Sequence, residues 1–151
     1  MRLSNEFLTT RLCNVSAVVA VDAELEDSSV DDVGRTEDVI VSQWRDVAVD
    51  ERNQLRDQFD EILRPLGLKT KLVVVEKSNS IALFFLCLTL SAIMSLRDQW
   101  RSQQLRDVVQ KLLTFLSGGA ARVKRLAWPA CDYERCLEFF KSLQGELMIL
   151  S

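Results

Sequence analysis

Between Lys77 and Arg97 the chain runs SNSIALFFLCLTLSAIMSL, nineteen residues without a charge. A run like this is either a membrane span or the deepest part of a folded core. Length decides between them. With Ser78, Asn79 and Ser80 assigned to a turn, the apolar part is Ile81–Met94, fourteen residues. As a helix it would cover about 21 Å, against a hydrocarbon layer of about 30 Å. Extending it to Trp100 draws in Arg97 and Asp98, and Thr89, Ser91 and Ser95 weaken insertion further. The period also changes inside the run. IALFFLCL, 81–88, is apolar on both faces, whereas Ile93, Leu96 and Trp100 recur at three and four. The run therefore reads as a buried strand followed by a helix capped by Thr89 or Ser91. A membrane anchor built on 81–96 is the alternative.

The flanking sequence supports a sheet. KLVVVE, 71–76, reads as a strand, and KSNS, 77–80, joins it to 81–88 as a hairpin. A strand apolar on both faces belongs mid-sheet, covered above and below. VSAVVAV, 15–21, is short and β-branched, a further buried strand, and ARVKRLAW, 121–128, alternates like an outer one. Helical stripes fall at Leu55, Phe59, Ile62, Leu63 and Leu66, with Asp50 as N-cap and Pro65 and Gly67 as the stop. A second stripe runs from Leu105 through Val108, Val109, Leu112 and Leu113 to Leu116, closed by Gly118 and Gly119. A last helix starts at Asp132, buries Tyr133, Cys136, Leu137, Phe140 and Leu143, and ends near Gly145. DAELEDSSVDDVGRTED, 22–38, carries eight acids against Arg35 alone and reads as a solvated, mobile loop. VIVSQWRDVAV, 39–49, fits a strand or a short helix. The expectation is one α+β domain over 1–151 with four strands and four helices.

Composition removes whole classes of chemistry. The chain has no histidine, which excludes Ser-His and Cys-His dyads, histidine-containing zinc sites and histidine acid–base catalysis. No carboxylate sits in an apolar run that would raise its pKa, so a carboxylate enzyme has no residues to name. There is no phosphate loop, HExxH, CxxC, EF-hand pattern or internal repeat. SGGAAR, 117–122, follows a helix and so makes a cap and turn, not an anion cradle. Of Cys13, Cys87, Cys131 and Cys136 only the last pair is close, unlike a four-cysteine zinc site. Cys87 and Cys136 lie on apolar faces, as buried free thiols do. Such usage suits a reducing, cytoplasmic setting. LCNVSAVVAV has the look of a signal peptide's apolar region, but Asn14, Ser16 and Glu6 spoil it. With a net charge of −3 and a pI near 5.1 there is no basic stripe for nucleic acid. Charge is uneven, net −6 over 1–96 (10 basic, 16 acidic) and +3 over 97–151 (9 basic, 6 acidic). No cofactor, metal or small-molecule substrate is expected.

The order of elements, with SIALFFLC, SLRDQWRSQQLRDVVQKLLTFL and DYERCL, resembles the N-terminal domain of the TRADD adaptors of tumour-necrosis-factor receptor signalling. The residues that carry the likeness are Leu86-Cys87, Leu96-Arg97, Trp100-Arg101, Leu105-Arg106 with Gln110, and Glu134-Arg135-Cys136-Leu137. The likeness covers roughly residues 16–145, and the acidic segment 22–38 looks like an insertion relative to it. It implies an α/β sandwich, a four-stranded antiparallel sheet flanked by helices. It also implies a role without chemistry in apoptosis and innate-immune signalling, docking the C-terminal domain of a TRAF-family trimer. The family's contacts come from the first strand, the hairpin and the region after the last helix. Ser78 and Ile81 match by identity, and Glu146 matches in type beside Leu147, where the family has arginine. A family histidine falls on Glu76, and two family aromatics fall on Val18 and Ala20. Losing both aromatic anchors leaves the same fold with a different signalling partner as the alternative.

Overall fold

A computed structural model of the chain describes residues 17–26, 30–50, 52, 54–77 and 80–150; of these, the side chains of 30–32 and 143–150 are not described. Alternation builds the first element. In β1 (Ala17–Leu25) Ala17, Val19, Val21, Ala23 and Leu25 are buried, while the intervening Val18, Ala20, Asp22 and Glu24 face the other way. Helix α1 (Val30–Val49), the short helix α2 (Arg56–Leu63) and a 3-10 turn (Arg64–Leu66) lead to β2 (Thr70–Lys77). Gly67, at φ 93°, breaks the helical path there, a conformation that favours glycine. The sheet hairpin β2–β3 (Ile81–Cys87) is followed by α3 (Leu90–Arg101), α4 (Gln104–Leu116), β4 (Val123–Ala127) and α5 (Ala130–Leu150). The four strands pair antiparallel in the order β2-β3-β1-β4, so the doubly apolar β3 is central and β4 is at an edge, as the sequence implied.

The charge-free run is a strand, a turn and a helix. Ile81, Leu83 and Phe85 of β3 and Ile93 and Leu96 of α3 are essentially without exposure. Thr89 caps α3, its hydroxyl accepting from the Ala92 N–H at 3.0 Å. Among the described residues no helix is long and apolar enough to cross a membrane.

Two readings of the acidic segment are corrected. Residues 22–25 continue β1, and residues 30–38 belong to α1 together with the ambiguous stretch 39–49. Val33, Glu37, Ile40, Val41, Trp44 and Val47 form one helical stripe packed on the core. Glu37 interrupts its apolar character, which is why it reads as two unrelated pieces. The structure thus has five α-helices among the described residues, not four. Asp50 does not cap α2: that helix begins six residues later after Leu55, and Asp50 Oδ1 accepts from the Arg52 N–H instead. The last helix starts two residues before Asp132 and runs through Gly145 to Leu150.

Glu37 is buried, with Lys77 Nζ 3.9 Å away, while Lys77 also pairs with Asp38 at 3.2 Å. Burial pushes the Glu37 carboxyl up, and Lys77 offsets this in part. A carboxyl raised in the folded state binds its proton more tightly there than when unfolded. The stability that Glu37 contributes is therefore greatest below the ordinary glutamate value of about 4.3 and is lost as pH rises through it to the folded value. Glu37→Gln should thus melt higher than the native chain at neutral pH. The gain should shrink toward zero at about pH 4, near the unfolded value, in paired thermal melts. An equal gain at both pH values would remove ionisation as its cause.

Candidate interaction face

All five helices contribute to a single apolar cluster on one side of the sheet. Ile40 of α1, Phe59 of α2, Ile93 and Leu96 of α3, Leu105 to Leu116 of α4, and Cys136 and Phe140 of α5 share it with the inward residues of the strands. The strand register assigns the other side. Val18 is paired with Leu86, Ala20 with Phe84, and Asp22 with Ala82 across β1–β3. On β2, Lys71, Val74 and Glu76 stand beside Leu86, Phe84 and Ala82. Leu86, Phe84 and Val74 are half-buried, yet none packs against the core cluster; they cover one another on the outer face. Val18 is 43% exposed. Among the described residues, then, the sheet has one face under helices and one open apolar face.

The open face has polar ends. Across one end run Lys71, Leu86 and Val18; across the other run Glu76, Ala82, Asp22 and Ala127. Lys71 and Glu76 are exposed, and neither has an ion-pair partner among the described residues. Beyond Asp22, Glu24 holds Arg125 at 2.7 Å and Lys124 at 3.8 Å. There Asp22, Glu24, Ser80, Arg125 and Ala127 line a shallow hollow of about 280 Å³.

A side-chain knot fixes the margin of this face. β4 joins β1 only from Asp22 onward, so the outer edge of Ala17–Val21 has no strand neighbour among the described residues. α5 closes it: Arg135 donates to the Val18 carbonyl at 3.1 Å and to Asp132 Oδ1 at 2.8 Å, and Asp132 Oδ2 accepts from the Trp128 indole at 3.0 Å. The Asp132 carboxylate pushes the Arg135 guanidinium pKa up. The thiol of Cys87 is pushed up to about 12 and that of Cys136 is raised, both by burial, so both are poor nucleophiles at neutral pH. Both are free and buried, as expected; Cys131 is free and exposed, and Cys13 lies outside the described residues.

The contacts implied by the family resemblance separate. Val18, Ala20 and Glu76 share the open face. Ile81 does not: it is fully buried on the helix side opposite Ala23. Ser78 lies outside the described residues. Glu146 lies within α5 rather than after the last helix, and its side chain is not described. Sequence reasoning missed Phe84, Leu86, Val74, Lys71 and Asp22. Only the pairing of the strands finds them, because β3 is apolar on both faces and the irregularity after Leu72 breaks the alternation on β2. No protein-family model matches this chain and no curated protein matches it either, so its role is read from its own surfaces.

Proposed function

We propose that this chain is a non-enzymatic interaction domain of a cytoplasmic signalling adaptor, docking a protein partner on the open face of its sheet. The C-terminal domain of a TRAF-family trimer is the partner that the TRADD resemblance implies. The observation that carries the reading is the apolar face of Val18, Ala20, Val74, Phe84 and Leu86, left without a helix among the described residues. An apolar patch rimmed by charge is how a protein surface presents a docking site. The same observation favours a second reading, with the fold kept and the partner changed. Valine and alanine stand where the family has aromatics, so the face is flat and suits a partner that brings its own protruding side chains.

Calorimetric titration with a panel of TRAF C-terminal trimers separates the two. Saturable heat should appear, weakened at least about tenfold by Val18→Asp, which places a charge in the desolvated patch. The melting temperature of that variant should stay close to native, because Val18 is already partly solvated. No heat with any trimer, from a chain that melts cooperatively, would sink the TRAF partner.

A further inference from the structure

We propose that the open sheet face also pairs with itself, joining two copies of this chain face to face about a two-fold axis. The axis lies in the interface and runs across the strands. This goes beyond the docking of a different protein and is read on the purified chain alone, so either can fail without the other.

The ends of the face are opposite in charge and equidistant from its middle. Lys71 stands beside Leu86 at one end, Glu76 stands beside Ala82 at the other, and Val74 and Phe84 lie between them. The irregularity between Leu72 and Val74 leaves Lys71, Val74 and Glu76 all on the outer side. A two-fold axis across the strands through the Phe84 row reverses strand direction while keeping each strand over its own copy. It sets Lys71 over the second copy's Glu76, and Glu76 over its Lys71. It also sets Leu86 over Ala82, a large side chain over a small one, and brings the two Phe84 rings together at the centre, while on β1 it sets Val18 over Asp22, a mismatch that keeps the pair weak. An isologous interface requires this self-complementarity of one patch. A two-fold axis along the strands through the middle of the face would instead set β2 over β4 and β3 over β1, and bring Lys71 and Glu76 opposite neither each other nor themselves.

Neither Lys71 nor Glu76 has an ion-pair partner within the described chain, so pairing breaks no salt bridge. Two sheets packed this way lie about 10 Å apart, the ordinary spacing of a β-sandwich. The face is small. Four strands at about 4.8 Å spacing and five residues at about 3.4 Å give roughly 300 Å² per copy. That is well under the ~800 Å² of a standard interface, so the pair should be weak, with a dissociation constant on the order of 100 μM. Self-pairing would then hide the patch at high local concentration and yield it to a tighter partner.

Sedimentation equilibrium from about 5 to 500 μM, bracketing that constant, tests the proposal. The weight-average mass should climb from 17.2 kDa toward twice that value. Lys71→Glu and Glu76→Lys each turn two attractive contacts into two repulsive ones and should weaken pairing by about tenfold. Mixing the two single variants should restore it, because each chain then presents the charge the other needs, and the double exchange in one chain should restore it too. High salt should weaken the native pair. A constant mass of 17.2 kDa throughout overturns the proposal. So does a dimer indifferent to both single substitutions, which would use another surface, and so does a failure of the mixture to pair.

Discussion

Replacing Ile81 by aspartate is expected to unfold the domain. Ile81 opens the central strand, has no exposure, and faces Ala23 in the interior together with Val21, Leu83 and the helix side chains of the same cluster. A carboxylate there has no water to solvate it, and the nearest cation, Lys77 across the β2–β3 pair, is already engaged by Glu37 and Asp38. A buried unpaired charge, added to the lost isoleucine contacts, should remove at least about 4 kcal/mol, much of the 5–15 kcal/mol that holds a domain of this kind together. The chain should lose its cooperative thermal transition and much of its far-ultraviolet dichroism. Ile81→Val, which removes one methylene, should cost only about 1 kcal/mol and keep the fold. Had Ile81 been the partner contact that the family resemblance implied, aspartate would have spared the melt and abolished binding. A native melt for Ile81→Asp would overturn the Ala23–Ile81 register, and with it the assignment of faces.

That contrast shows where sequence reading stops. The β2–β3 hairpin and the helices α3 and α4 were legible because their apolar patterns are continuous and their ends carry turn or cap residues. The second half of β1 was hidden because Asp22 and Glu24 alternate with Ala23 and Leu25, and a dense run of acids outweighs two inward side chains. α1 was hidden because Glu37 occupies an inward position on its stripe. The candidate face was partly legible. Val18, Ala20 and Glu76 were named from the family resemblance, and the strand register sets them on one side. β3 offers no guide of its own, since a strand apolar on both faces carries no polar residue to mark outward. Ile81, Phe84 and Leu86 therefore look alike in sequence while Ile81 points the opposite way from the other two. On β2, the irregularity after Leu72 shifts the alternation by one residue, so Val74 joins the outer face beside Phe84. Register is a property of strand pairs, and no single strand states it.

Arg97 illustrates the reverse case, a residue plain in the sequence whose role appears only in three dimensions. In the sequence it is the charge that ends the apolar run. In the fold it is buried, its guanidinium carbon 4.4 Å from the Trp100 ring centre, 4.9 Å from that of Tyr133 and 5.0 Å from that of Trp128. It donates to the Trp128 carbonyl at 3.0 Å, and Trp128 and Tyr133 meet edge to face at 5.7 Å. Burial pushes its pKa down, but a guanidinium starts so high that the charge persists at neutral pH. This one side chain ties α3 to the start of α5, and through Asp132 and Arg135 to the unpaired edge of β1. Arg97→Ala opens a cavity among three rings, removes desolvated cation–π attraction and leaves the Trp128 carbonyl without its donor. The expected loss is about 3 kcal/mol, a fall in melting temperature of roughly 6–12 °C for a chain of this length. Arg97→Met refills most of the volume without the charge and should lose less than half as much, because the buried Nε already lacks a hydrogen-bond partner and its removal recovers that cost. Equal losses in the two variants would mean that charge and hydrogen bonding, not packing, hold the knot. A melt unchanged by alanine would mean that α5 is held elsewhere. In the expected case α5 loosens first, the β1 edge at Ala17–Val21 is uncovered beside the apolar face, and the alanine variant should aggregate on heating below its own unfolding midpoint.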